Sequence, residues 1–262
     1  MNAPAAPVGV FDSGAGGLSV LRALRAALPG EDFVYLADNA HAPYGEKGDV
    51  FVADRSLAVA RQLRDSHGIK ALVVACNTAT AAAITQLRDA HPGLPLVGVE
   101  PALKPAAAHT RTGHVGVMAT RGTLASQKFA ALHGTLAGQT RFVLQACDGL
   151  AEAIEHDDAA KTEALCAHYV QAMGPFGGRP GAMDTLVLGC THYPFAAGVL
   201  RAVVGPDVRL VDTGEPVARQ TQRLLATRGL LAQRTQGGLT LLATGPLMAL
   251  QAAATRWLAV QA

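Results

Sequence analysis

Two cysteines in this chain occupy the same kind of position and could work as a pair. Cys76 ends the apolar run 71–75, Cys190 ends the run 185–189, and residues with hydroxyl or amide side chains follow each of them. If helices begin at these points, their positive ends would stabilise a thiolate. A thiolate and a thiol can remove and return a proton as general base and general acid. A single cysteine is more often inert packing, but that interpretation weakens when two share one context.

The remaining candidate ligands and nucleophiles give weaker signals. Cys147 and Cys166 lack such a context, so we interpret them as structural. His192 stands close to Cys190, but two ligands without a second clustered pair fall short of a zinc site. Without a CxxC pair, the sequence predicts neither a metal centre nor a disulfide framework. The glycine-rich turn 12–17 suits an anion, yet it matches no nucleotide-binding pattern.

The elements that must position these residues form a regular alternation. Short apolar runs followed by small or polar residues are typical of buried parallel strands, and amphipathic stretches such as 18–28 and 50–66 predict helices. The nine runs begin at residues 8, 33, 71, 96, 115, 142, 185, 208 and 239. The alternation predicts an α/β fold, in which ligands bind beyond the carboxyl ends of the strands.

The chain also repeats its own pattern. Segment 8–14 resembles 115–122, and segment 73–78 resembles 187–192. Strand-plus-turn patterns also recur by chance in α/β proteins. As a true repeat, the pattern predicts two similar α/β halves that face one cleft.

Composition narrows the class of protein. Of 262 residues, 50% are hydrophobic and 16% charged, with a net charge of +2, which favours a folded chain without a nucleic-acid partner. No signal peptide and no apolar stretch of about 18 residues is found, so we expect a cytoplasmic protein without a membrane span.

Six motifs, in order along the chain, resemble the glutamate racemases over nearly the whole length. They are FDSGAGGL at 11–18, AD at 37–38 with PYGE at 43–46, ACNTA at 75–79, ATRGTLAS at 119–126, LGCTHYP at 188–194 and VDTG at 211–214.

The resemblance implies a fold and an activity. The fold would be two similar parallel-sheet, flavodoxin-like α/β domains, 1–98 plus 208–262 and 99–207, with the active site in the cleft between them. The activity would be interconversion of L- and D-glutamate without pyridoxal phosphate or metal, which supplies D-glutamate for peptidoglycan. A homodimer is expected, and binding to gyrase, known for some members, is left open.

The resemblance also implies roles. Cys76 would deprotonate D-glutamate with Asp12 as its partner, and Cys190 would deprotonate L-glutamate with His192 as its partner. Spacing favours Glu155 over Glu152 as the active-site glutamate, in a segment where Asp148 replaces the family's usual proline. Alternatively, Asp12 caps a helix and His192 is a packed histidine. Residues matching the substrate-binding positions are Ser13, Pro43, Tyr44, Gly45, Asn77, Thr78, Thr120, Thr123 and Thr191, whose alternative is ordinary turn and cap chemistry.

Three other functions remain open from the sequence. An aspartate or hydantoin racemase would use the same two thiols with a pocket of different depth. A cysteine hydrolase would use Cys190 as nucleophile and His192 as base, and would leave Cys76 without a role. A non-catalytic binding protein on the same fold would need neither thiol.

Overall fold

The computed structural model describes residues 4–136 and 138–258, in which strands and helices alternate. The strands are β1 (Val8–Asp12), β2 (Phe33–Ala37), β3 (Ala71–Val74), β4 (Leu96–Gly98), β5 (His114–Ala119), β6 (Arg141–Ala146), β7 (Thr185–Gly189), β8 (Arg209–Val211) and β9 (Leu239–Ala243). The helices are α1 (Leu18–Ala27), α2 (Asp49–His67), α3 (Asn77–Ala90), α4 (Leu103–His109), α5 (Arg121–Ala125), α6 (Gln127–Gly134), α7 (Leu150–Glu155), α8 (Ala159–Met173), α9 (Ala197–Val204), α10 (Gly214–Thr227) and α11 (Leu247–Leu258).

The chain divides into two compact units. The first comprises Met1–Val99 and Gly214–Ala262, and the second is Glu100–Thr213. Each unit holds one parallel sheet, which confirms the predicted α/β class and its two parallel-sheet domains.

The sheet of the first unit has the strand order β4-β3-β1-β2-β9, and all its pairs are parallel. Every residue of β1, β2 and β3 is buried, as expected for strands covered by helices on both faces. Helices α2 and α3 pack against this sheet, and their apolar side chains share one core cluster with it, which includes Phe11, Leu63 and Leu72.

The sheet of the second unit has the order β6-β5-β7-β8, again with parallel pairs only. Read in the opposite direction, β8-β7-β5-β6 repeats the arrangement β4-β3-β1-β2 of the first unit. The internal repeat in the sequence therefore has a counterpart in topology.

Strand β8 lies on the other side of the expected boundary. The segment 208–262 was expected in the first domain, but β8 pairs with β7, with Thr185 opposite Arg209 and Val187 opposite Val211. Because this backbone ladder ties β8 to the second sheet, the second unit extends to Thr213.

Both sheets have a topological switch point beside their first strand. In the first unit β2 lies on one side of β1 and β3 on the other, so the chain crosses over β1 between them. Strands β6 and β7 flank β5 in the same way. Ligands of open α/β sheets bind at the carboxyl ends of strands at such points. Within the described residues, no helix is long and apolar enough to cross a membrane.

Candidate active site

The expected site residues form two groups at the switch points, one in each unit. The first unit contains Asp12, Ser13, Pro43, Tyr44, Gly45, Cys76, Asn77 and Thr78. The second unit contains Thr120, Thr123, Glu155, Cys190, Thr191 and His192.

Cys76 stands between β3 and α3, as the sequence predicted. Its sulfur caps α3 by accepting a hydrogen bond from the Ala79 amide at 3.4 Å, and it lies 3.9 Å from the Ser13 hydroxyl oxygen. The side chain is buried, with 5% of the residue exposed. Amides at a helix N-terminus stabilise negative charge, so this position suits a thiolate.

Asp12 ends β1 beside Cys76, because the Ala75 amide donates to the Phe11 carbonyl at 2.8 Å. The Asp12 carboxylate is fully buried and accepts from the Gly14 amide at 2.9 Å. The residue at the N-cap position of α1 is Gly17. Gly17 has to be small, since a Cβ there would lie 2.5 Å from the Cβ of Asp12.

Asn77 and Thr78 begin α3, and both are buried. Among the described residues, neither the amide nitrogen nor the amide oxygen of Asn77 has a hydrogen-bond partner. Buried polar groups are nearly always satisfied, so an unsatisfied amide next to Cys76 needs an explanation.

Tyr44 occupies a short 3-10 turn, Tyr44–Glu46, that follows the cis peptide bond between Ala42 and Pro43. Its hydroxyl donates to Asp38 at 2.5 Å. Burial, and after it the hydrogen bond to Asp38 and the charge of that carboxylate, raise the pKa of Tyr44, so the phenol keeps its proton.

Two contributors here were missed by sequence reasoning. Arg55 donates twice to Asp38, and the ring nitrogen Nδ1 of His41 lies 3.0 Å from the same carboxylate. The sequence does hold a sign of this role, because Arg55 lies between Val52 and Val59 at helical spacing and so shares the buried face of α2. A cation at such a position needs an anionic partner nearby.

Cys190 follows β7 and contacts His192, whose Nδ1 lies 3.7 Å from its sulfur. On the other side of the ring, Nε2 lies 2.5 Å from a carboxylate oxygen of Glu155. Both the cysteine and the histidine are buried, with 7% exposed in each case. Cys190 does not cap an α-helix, because a 3-10 turn, Tyr193–Ala196, precedes α9.

The charge of His192 is determined by this pair of neighbours. Burial lowers its pKa, but hydrogen bonds and charge attraction from Cys190 and Glu155 act more strongly, so the pKa lies well above its usual value. A protonated imidazole beside Cys190 stabilises a thiolate through Coulomb attraction.

Glu155 and Glu152 have different surroundings. Glu155 ends α7 with its side chain 23% exposed and against His192. Glu152 is 48% exposed and faces Lys161, with its carboxylate 3.3 Å from the ammonium nitrogen.

Three threonines of the second unit follow the ends of strands, Thr120 and Thr123 after β5 and Thr191 after β7. Thr120 caps α5 by accepting from the Thr123 amide at 3.2 Å and donates to the Thr123 hydroxyl at 2.9 Å. Thr191, which lies between Cys190 and His192 in the sequence, is buried. Because Ala119 is opposite Gly189 in the ladder, Thr120 and Cys190 follow neighbouring strands at the same level.

Cys147 and Cys166 are free and buried. Burial raises the pKa of both, that of Cys166 to about 11, so neither thiol suits a base near neutral pH. Within the described part of the chain, no group of three or more His, Cys, Asp or Glu side chains could hold a metal ion.

Comparison with known proteins places these features in one family. The profile of the Asp/Glu/hydantoin racemase family matches residues 8–221. A glutamate racemase of Ectopseudomonas mendocina is 50% identical over 254 residues, covering 96% of this chain and 94% of that protein. A glutamate racemase isoform from Bacillus anthracis is 31% identical with a TM-score of 0.85, covering 98% and 95% of the two chains. The Escherichia coli glutamate racemase, solved with L-glutamate and the activator UDP-MurNAc-Ala, is 32% identical with a TM-score of 0.80, covering 96% and 95%.

The chain therefore belongs to the Asp/Glu/hydantoin racemase family. Within that family it belongs with the glutamate racemases, which are isomerases.

Proposed function

We propose that this chain interconverts L- and D-glutamate by proton transfer between the thiols of Cys76 and Cys190, without a cofactor. The observation that carries the proposal is the equivalence of the two cysteines. Each follows the third strand of its unit, beside the switch point of a sheet with the same strand order. Two thiols at matching points suit a reaction with two mirror-image halves.

The chemistry requires a base on one face of the α-carbon and an acid on the other. In the L-to-D direction, the Cys190 thiolate takes the α-proton and becomes a thiol. Cys76, a thiol at the outset, gives its proton to the opposite face and becomes a thiolate. The reverse direction starts from that state, so protons balance and no outside acid or base is consumed.

The surroundings of the thiols support these roles. The Ala79 amide stabilises negative charge on Cys76, and protonated His192 does the same for Cys190. Asp12 and His192 are the proposed acid–base partners of the two thiols, and Glu155 holds His192 in its charged form.

We propose that the substrate's carboxylates and ammonium bind to polar groups at the ends of the strands. These are Ser13, Asn77 and the backbone and hydroxyl groups of Tyr44–Gly45, Thr78, Thr120, Thr123 and Thr191. The unsatisfied amide of Asn77 supports this, since a bound amino acid would supply both a donor and an acceptor.

Glutamate is the proposed substrate because the relatives are glutamate racemases and the Escherichia coli structure holds L-glutamate. D-glutamate is a building block of peptidoglycan, which makes cell-wall synthesis the proposed role. We also propose a homodimer in the cytoplasm, where reducing conditions keep both thiols free. Light scattering of the purified protein tests the dimer, because it measures whether the molar mass in solution is that of two chains.

The Cys190–His192–Glu155 arrangement also resembles the catalytic group of a cysteine hydrolase. That function would leave Cys76 and its helix cap unexplained, and it is separated from racemisation by the cysteine variants described in the Discussion.

Circular dichroism of L- and D-glutamate with the purified protein, after dialysis against a chelator, tests the proposed activity. Both enantiomers are expected to approach the racemate, with L-aspartate and a hydantoin converted far more slowly under matched conditions. Faster conversion of aspartate, or activity that depends on added metal or pyridoxal phosphate, would contradict the proposal.

A further inference from the structure

Asp38 is a buried carboxylate on which several segments of the first unit converge. It is fully buried and accepts hydrogen bonds from Arg55 at 2.8 and 3.0 Å and from Tyr44 at 2.5 Å. The ring of His41 and the hydroxyl of Thr244 also contact it. These partners come from α2, from the loop after β2 and from the end of β9.

Arg55 is the partner that makes this buried charge tolerable. Its guanidinium binds both oxygens of Asp38, the two-point geometry that arginine forms with carboxylates. Burial raises the pKa of Asp38, but the hydrogen bonds from Arg55, Tyr44 and Thr244 lower it by more than burial raises it. The pKa of Asp38 therefore lies below the usual value. Without this cation, Asp38 would be an uncompensated buried charge, which favours movement of the carboxylate toward water or toward other partners.

Asp38 in turn determines where Tyr44 lies. The Tyr44 side chain is 1% exposed and belongs to the same buried cluster as Cys76. Its hydroxyl, still protonated, donates to Asp38. The Tyr44–Gly45 segment beside the thiol therefore takes its position from Asp38, and Asp38 takes its orientation from Arg55.

We propose that Arg55 is a positioning residue for substrate binding, acting through Asp38 on the Tyr44–Gly45 segment. This inference rests on the proposed function, in which that segment holds a substrate carboxylate. Arg55 itself touches Asp38 rather than substrate. Its loss would weaken a contact made equally in the ground state and the transition state, which raises KM more than it lowers kcat.

The test measures KM and kcat for both enantiomers in Arg55→Met and Arg55→Lys, with thermal melts as a check of folding. Arg55→Met is expected to raise KM about tenfold or more with kcat within about threefold, because small displacements of binding groups cost large factors. Arg55→Lys keeps the charge but loses the two-point geometry, so part of the affinity returns. Arg61→Met, an exposed arginine on the same helix, is the matched control with wild-type KM.

A double-mutant cycle with Tyr44→Phe separates positioning from general destabilisation. Tyr44→Phe removes the hydroxyl that links the segment to Asp38, so adding Arg55→Met should raise KM by a much smaller factor than it does in the wild type.

Wild-type KM in a folded Arg55→Met protein, or equal KM factors in both backgrounds, would overturn the inference. If Arg55→Met does not fold, the cycle is run with Arg55→Lys, and unchanged KM there is equally contrary. Failure of the wild-type protein to racemise glutamate would instead refute the proposed function.

Discussion

His192 shows how two neighbours set the state of one residue. The ring lies between the Cys190 sulfur at 3.7 Å and a Glu155 oxygen at 2.5 Å. These contacts outweigh burial and hold its pKa well above the usual value. The charged form is the one that supports a thiolate on Cys190, so activity should depend on the proton of His192.

Replacing Glu155 with glutamine should therefore change the pH profile. Imidazolium is lost as the pH rises through the pKa of His192. Glu155→Gln removes the carboxylate that helps to raise that pKa, so the pKa falls and the alkaline loss of L-glutamate conversion moves to lower pH. The measurement is kcat/KM for L-glutamate against pH.

Glu152→Gln is the matched control, since Glu152 lies on the same helix and faces Lys161 instead of His192. Its profile should follow the wild type. Equal profiles for all three proteins would show that Glu155 does not govern His192.

A buried hydroxyl helps to anchor α3, the helix that follows Cys76. Thr80 on α3 is buried, donates to the Val74 carbonyl of β3 at 3.2 Å and accepts from the Val99 amide at 3.0 Å. Cys76 lies between Val74 and Thr80 in the chain. The hydroxyl therefore ties α3, the helix that Cys76 caps, to the ends of two strands.

Thr80→Val keeps the shape and removes both hydrogen bonds. The Val74 carbonyl and the Val99 amide lose a partner, so the free energy of unfolding should fall by about 1–3 kcal/mol. Urea unfolding followed by circular dichroism measures the change. Thr227→Val, on an exposed position of α10, should change it by less than about 0.5 kcal/mol, and similar values for the two variants would contradict this role of Thr80.

The strands and helices could be predicted from the sequence because each depends on the pattern of apolar residues within its own segment. Each of the nine apolar runs forms a strand, and the expected helices 18–28 and 50–66 correspond to Leu18–Ala27 and Asp49–His67. The run at 208–211 also forms a strand, but a run of apolar residues carries no information about which sheet it joins. That depends on backbone pairing with a distant segment.

Contacts between distant side chains were not readable in the same way. The motif at 37–46 drew attention to Tyr44, but the pairing of Asp38 with Arg55 joins positions 17 residues apart and depends on how α2 lies on the sheet. Spacing favoured Glu155 over Glu152, and the structure places Glu155 against His192. The positive helix end expected at Cys190 is replaced by a 3-10 turn that contains Pro194.

At the scale of the whole molecule, the base of the first unit contains a buried ion pair between Lys70 and Glu31, which are 0% and 2% exposed at their side chains. Lys70 also donates to the Pro4 carbonyl at 2.5 Å, and Glu31 accepts from the Ala232 amide at 2.8 Å. The pair thus joins the beginning of the chain, the strand that leads to Cys76 and the segment after α10.

Lys70→Met should destabilise the protein strongly, because it leaves Glu31 buried without its cation. A loss of about 3–5 kcal/mol in the free energy of unfolding is expected, measured by urea unfolding at neutral pH. Arg219→Ala breaks the exposed pair with Glu215 and should cost at most about 1 kcal/mol. A Lys70 variant as stable as the Arg219 variant would show that the buried pair does not hold these segments together.

The shared topology of the two units bears on mechanism as well as on fold. One arrangement of strands occurs twice, and each copy carries a thiol at the same point with different neighbours, the Ala79 amide in one and His192 in the other. In the proposed mechanism each thiol therefore removes the α-proton in one direction only, and neither can replace the other.

The most direct test follows racemisation by circular dichroism and α-proton exchange by NMR in deuterium oxide, for Cys76→Ala and Cys190→Ala. Both variants should lose racemisation, since a proton removed on one face cannot be returned on the other. Cys190→Ala keeps the base for D-glutamate and should still exchange its α-proton slowly, whereas Cys76→Ala should exchange only that of L-glutamate. Racemisation at a near wild-type rate by Cys76→Ala would contradict the two-thiol mechanism.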